Sequence, residues 1–125
     1  MIISYHRPTF RGRHNQNRAR VLLVLENLRL GNLGPSNTAL TVKELAKLTG
    51  CSESSLSASM NKWCKWRFLK RKLDISPSGR KQYLYRIAPR GTRWFRRWCL
   101  YMPRLREWTN EIRPNVNRWR LEHSI

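Results

Sequence analysis

The stretch that decides the architecture begins Thr41-Val-Lys-Glu44, continues through Gly50-Cys-Ser-Glu53 and closes on Ile87-Ala-Pro-Arg-Gly91. Thr41 with Glu44 is a capping-box pattern, in which the threonine side chain accepts from the third helical amide and the glutamate reaches back. A short helix is therefore expected from Thr41 onward, stopped at Gly50 by a residue suited to the left-handed conformation. Ser52 is placed to cap a second helix, and Glu53 puts negative charge in its first turn.

The second helix, over about residues 53–66, has two faces of different kinds. At about 100° per residue, Leu56, Met60 and Trp63 share one side, flanked by Cys64 and Trp66, and that side is expected to meet a core. The other side gathers Ser54, Ser57, Ala58, Asn61, Lys62 and Lys65, with no acidic residue. Serine, asparagine and lysine can reach base edges in a major groove, and lysine also neutralises phosphate. Residues 68–73 and 82–87 are bulky, branched or aromatic, which suits two strands. Between them Asp74-Ile-Ser-Pro-Ser-Gly-Arg-Lys81 reads as a turn-rich loop with two cations at its exit.

Helix, helix and basic hairpin in this order predict a winged helix-turn-helix, mainly α with a small two-stranded β wing. The pattern resembles the MarR-like and PadR-like winged-helix transcriptional regulators. The resemblance runs through Glu44-Leu-Ala46, Ser52-Glu-Ser-Ser-Leu-Ser57 and Phe68-Leu-Lys-Arg71 to Ile87-Ala-Pro-Arg-Gly91, which is similar to the family's Leu-Thr-Pro-x-Gly. It implies a DNA-binding regulator whose second helix enters the major groove. Two features depart from the family. Arg67 stands where a glycine usually follows the recognition helix, so the turn there is expected to differ. The N-terminus reads as a tail rather than as a dimer-forming helix.

Charge supports a polyanionic partner through its distribution more than its sum. The 125 residues carry a net charge of +19, of which +5 falls on residues 1–20, zero on 21–59, +12 on 60–100 and +2 on 101–125. A surface charged for solubility alone would mix signs and spread them. The concentration from the end of the recognition helix onward fits nucleic acid. Expected contacts are Ser54, Ser57, Asn61, Lys62 and Lys65 from the helix, with Ser78, Arg80 and Lys81 from the wing. Arg7, Arg11 and Arg13 of an N-terminal arm, and Arg93 and Arg97 beyond the wing, would extend the footprint.

The rest of the chain divides into a flexible basic arm (1–17), the winged domain (18–91) and a C-terminal aromatic and basic helical segment (92–125). Arg18 to Leu30 is too apolar for a surface helix and is expected to be the central one, ended by Gly31. After Gly91, Trp94, Trp98, Tyr101, Leu105, Trp108 and Ile112 fall at spacings of 4, 3, 4, 3 and 4, a heptad-like seam interrupted by Pro103 and Pro114. This seam either packs on residues 21–30 or pairs with a second copy, and a homodimer is the favoured expectation. Stacking of unpaired bases on the tryptophans is the lesser alternative.

Catalytic chemistry has little to work with among seven acids and three histidines. No nucleophile elbow, phosphate-cradling glycine loop or His-x-x-x-His is present, so no enzyme, cofactor or metal site is expected. Cys51, Cys64 and Cys99 are too widely spaced for a zinc ribbon and are expected as reduced thiols. No apolar run approaches the roughly 18–20 residues that cross a bilayer, so the expected setting is cytoplasmic and nucleoid-associated. The leading reading is a double-stranded-DNA-binding transcriptional regulator. Its alternatives are an RNA-binding component of a ribonucleoprotein and a sequence-blind DNA-coating protein.

Overall fold

The computed structural model describes residues 13–33 and 39–123. Five helices and a two-stranded ribbon follow one another as α1 (Arg13–Arg29), α2 (Val42–Thr49), α3 (Glu53–Lys65), β1 (Leu69–Ile75), β2 (Lys81–Ile87), α4 (Pro89–Trp98) and α5 (Pro103–His123). This is a winged helix-turn-helix with a C-terminal helical extension, an α+β fold. Among the described residues no helix is long and apolar enough to cross a membrane.

The helix ends follow the local chemistry. Thr41 Oγ1 accepts from the Glu44 amide at 3.2 Å while Glu44 Oε1 accepts from the Thr41 amide at 3.2 Å, completing the capping box. Gly50 stops α2 in the left-handed conformation, φ 75°. Ser52 Oγ accepts from the Ser55 amide at the start of α3. At the end of α1, the amide of Gly31 bonds Leu28 O at 3.0 Å and that of Asn32 bonds Asn27 O at 2.9 Å, the paired reverse bonds of a Schellman stop.

The turn after α3 corrects an expectation. Arg67 takes the left-handed conformation, φ 64°, that ordinarily favours glycine. The Arg67 amide bonds Cys64 O at 3.0 Å and the Phe68 amide bonds Trp63 O at 2.9 Å, so the hydrogen bonds of the stop form without a glycine. Trp63 and Phe68, the positions whose apolar side chains accompany such a stop, are both buried. The conformation disfavours a residue with a Cβ. Arg67→Gly is accordingly expected to stabilise the fold by about 0.5–1 kcal/mol, read as a higher midpoint in thermal unfolding. A lower midpoint would show that the arginine side chain holds the turn.

α1 is the centre of the core, with Val21, Leu22, Val24, Leu25 and Leu28 buried on several of its faces. It starts at Arg13, five residues before the expected Arg18, so 13–17 belong to the helix rather than to an arm. Asn15 Oδ1 accepts from Arg18 at 2.9 Å, and Asn17 Oδ1 accepts from the Cys51 thiol at 3.3 Å, tying this first turn to the domain. Arg18 is itself buried, its guanidinium 4.8 Å from the Phe68 ring and 4.2 Å from the Trp94 ring. Burial lowers its pKa to about 10, so it remains charged at neutral pH. Burial pushes the neighbouring Cys99 thiol up to about 12, which keeps it protonated and unreactive.

The ribbon pairs Leu69 with Ile87 at its base and Ile75 with Lys81 near its tip. Leu40 adds a single bridge to Tyr85 through two backbone hydrogen bonds of 3.1 and 2.8 Å, extending the ribbon on its inner edge. At the tip, Gly79 has φ 83° and its amide bonds Ser76 O at 2.8 Å.

The aromatic seam is the second correction. Pro103 opens α5, where its missing amide hydrogen removes no helical bond, and Pro114 lies inside a helix that continues through it. α5 then folds back onto the same chain. Trp108, Ile112, Val116 and Trp119 are buried there, and the Trp119 indole donates to Glu44 Oε2 at 3.3 Å. Asn115 donates to Leu48 O at 3.2 Å, and Arg20 pairs with Glu111 at 2.6 Å. Trp108 and Ile112 are thus spent on this chain's own core and are not available to a second copy. Trp94 packs edge-on to Phe68, whereas Tyr101 is 89% exposed. The seam divides because periodicity reports an apolar face and not what covers it.

Candidate nucleic-acid interface

Ser54, Ser57, Asn61, Lys62 and Lys65 are all exposed on α3, while Leu56, Met60 and Trp63 anchor its other side in the core. The outward stripe therefore stands on a rigid support. Ser78 and Arg80 lie in the wing turn and Lys81 opens β2, all three exposed. Ser78 Oγ is hydrogen-bonded to Ser76 Oγ at 2.8 Å, and Ser76 Oγ accepts from the Arg80 amide at 3.1 Å, so Ser78 shapes the turn that presents Arg80.

A residue missed from sequence joins helix to wing. Arg71 in β1 donates from Nη1 to Asn61 Oδ1 on α3, and its guanidinium lies 4.2 Å from the Tyr83 ring centre. It also stands directly opposite Tyr85 in the ladder. Burial raises the Tyr85 phenol pKa and the Arg71 guanidinium opposes it. Burial likewise raises the Cys64 thiol, against the pull of the same guanidinium. Arg71 is exposed, yet an amide and an aromatic face fix its direction. The sequence signal available was the pairing of a cation in β1 with an aromatic in β2, which ring contact and cross-strand packing would favour.

The expected footprint is only partly assembled around α3. Arg7 and Arg11 lie outside the described residues, and Arg13 is in the first turn of α1. Arg97 is exposed on α4 with its guanidinium 4.9 Å from the Trp98 ring. Arg93 instead lines a cleft with Lys70 and Arg86, on the face of the ribbon opposite Arg71.

Between α1, α4 and α5 runs a trough of about 730 Å³, with Leu23, Val24, Leu100 and Tyr101 among its lining residues. Glu26, 3% exposed, stands at its edge and accepts from Arg29 at 2.5 Å and from Thr92 at 3.2 Å. Among the described residues no three His, Cys, Asp or Glu side chains group as metal ligands would.

No family model matches the chain, and no curated protein matches it. Among solved structures it is similar to a PadR-like transcriptional regulator from Bacillus cereus strain ATCC 14579, with a TM-score of 0.47 and 18% identity over 82% of this chain and 88% of that one. It is also similar to a possible transcriptional regulator from Methanosarcina mazei Go1, with a TM-score of 0.42 and 15% identity over 93% of this chain and 98% of the other.

Proposed function

We propose that this chain is a transcriptional regulator that binds double-stranded DNA, with α3 in the major groove and the wing turn on an adjacent phosphate run or minor groove. The observation that carries the reading is the Asn61–Arg71 pair, braced on Tyr83. With Asn61 Oδ1 engaged by Arg71, the groups that the pair turns outward are N–H donors. Those match the O6 and N7 acceptors of guanine, the commonest target of arginine in the major groove. An A-form helix hides its base edges in a deep, narrow major groove, so this arrangement suits B-form DNA better than duplex RNA.

Ser54, Ser57, Lys62 and Lys65 extend the reading stripe, and Arg80 and Lys81 hold phosphate. Only the helix side carries sequence information. Asn61→Ala is expected to lower affinity for a selected site much more than for a scrambled duplex. Arg80→Ala should weaken both alike and reduce the salt slope by about one. Equal effects of the two substitutions on both duplexes would contradict the groove assignment.

A second copy is the natural cover for the exposed Leu100 and Tyr101 beside the trough, since contiguous exposed apolar surface marks interaction sites. Sedimentation is expected to give a dimer for the wild type and a monomer for Tyr101→Arg. A monomeric wild type at micromolar concentration would remove the dimer from this account.

A further inference from the structure

The two faces of the ribbon carry different chemistry. Residues paired across the ladder lie on the same face. Leu69 with Ile87 and Arg71 with Tyr85 therefore occupy the side that meets the core and α3. Lys70 with Arg86, and Lys72 with Leu84, occupy the reverse.

Two clefts open along that reverse face. One, of about 360 Å³, is lined by Arg29, Lys70, Arg86 and Arg93 together with apolar Leu25 and Ile87. The other, of about 190 Å³, shares Lys70 and Arg86 and adds Lys72 and Leu84, with Ala39 and Arg71 at its border. Arg29 is paired with Glu26. Lys70, Lys72, Arg86 and Arg93 form no ion pair among the described residues. Lys70 directly opposite Arg86 is moreover a like-charge cross-strand pair, an arrangement that destabilises a ribbon. Unbalanced cations over apolar walls focus their field outward.

We infer that this reverse face is a second nucleic-acid site, which takes the phosphodiester backbone of a second duplex segment while α3 holds the first; the inference rests on the reading of α3 given above. The cations span two clefts that share Lys70 and Arg86. Lys70 and Lys72, two residues apart on a strand, are separated by about 6.6 Å, on the order of the spacing of successive phosphates along a strand. The series continues to Arg93 on α4, which favours a polyanion over a single phosphate. A duplex seated on α3 lies on the side of the ribbon that carries Arg71, and DNA stiff over about 150 bp does not wrap from there to the reverse face, so the occupant of that face is taken to be a second segment. The protein then bridges two duplexes.

The test is capture of a labelled duplex from solution by protein already bound to an immobilised duplex of unrelated sequence. The wild type is expected to capture it. Combined Lys70→Gln, Lys72→Gln and Arg86→Gln should reduce capture at least tenfold while binding to the immobilised duplex changes by less than about threefold. This variant relieves like-charge repulsion, so its unfolding midpoint should not fall, and that control separates lost binding from lost fold. Three results would overturn the inference: a wild type that binds the first duplex and captures no second; a variant that captures as well as the wild type, which would assign bridging to paired copies; and a variant that loses the first duplex, which would put this face in the primary interface. Failure of the wild type to hold even the first duplex would sink the reading of α3 as well, so the two failures are distinct.

Discussion

Gly91→Ala is expected to destabilise the fold by about 3 kcal/mol, lowering the thermal midpoint by about 10 °C. The sign is the informative part. Gly91 lies in the first turn of α4, where alanine would ordinarily be the better helix former by about 1 kcal/mol. Here an added Cβ would sit 2.2 Å from Phe68 O, 3.1 Å from Phe68 C and 2.9 Å from Ile87 Cγ1. The first two atoms are backbone, and Phe68 O is already fixed by the Ala88 amide at 3.0 Å. No rotamer relieves the contact, so α4 must lift from the base of the ribbon, carrying Arg93 away from Lys70 and Arg86. Thermal unfolding followed by circular dichroism measures the effect. An unchanged or raised midpoint would mean that the close approach of α4 to the turn before β1 does not exist in solution.

Arg71→Ala should have the largest effect on recognition, a loss of roughly 30- to 100-fold on a selected duplex and at most a few-fold on a scrambled one, on the order of one good bidentate base contact. Arg71→Lys is not expected to restore it, because an ammonium lacks the planar fork and stacks less well on Tyr83. The hydrogen bond from Arg71 to Asn61 adds a stricter condition. In a double-mutant cycle on the selected duplex, Asn61→Ala and Arg71→Ala should couple by at least about 1 kcal/mol. Additive losses would show that the two side chains act separately, and an equal loss on scrambled DNA would reduce Arg71 to a phosphate contact.

The fold was legible where local chemistry and burial agree. Thr41 with Glu44, Gly50 and Ser52 announce α2 and α3 because capping is local, and Leu56, Met60 and Trp63 orient α3 because the core needs one apolar side. The ribbon was legible from its branched and aromatic residues and from the turn at Ser76 to Gly79. The first turn of α1 was not, since His14, Asn15, Gln16 and Asn17 show no apolar period. Part of what holds this turn, the Arg18 bond to Asn15 and the Cys51 bond to Asn17, is tertiary or depends on the burial of a cation. Arg67 shows the converse: local preference argued against the left-handed turn, and the burial of Trp63 and Phe68 overrode it. The tryptophan seam was visible as a period, but a period does not say what covers it: Trp108 and Ile112 are buried in this chain's own core, while Tyr101 stays exposed.

The exposure of the α3 stripe and of the wing cations was legible from type and spacing. Arg71 was hidden because its role depends on a ladder register that sets it against Tyr85 and on a helix that brings Asn61 to it. Arg93 was assigned to a general flank for the same reason. Only the packing of α4 against the ribbon sets it beside Lys70 and Arg86.

Whether α3 reads duplex DNA is decided by a competition titration of the purified protein at near-physiological salt. Genomic duplex fragments and structured RNA would compete for it, and the bound molecules would be sequenced. The expected result is enrichment of duplexes that converge on one motif containing a guanine dependent on Arg71, with that enrichment lost in Arg71→Ala. Preference for structured RNA, or uniform retention of all duplexes by wild type and variant alike, would contradict it.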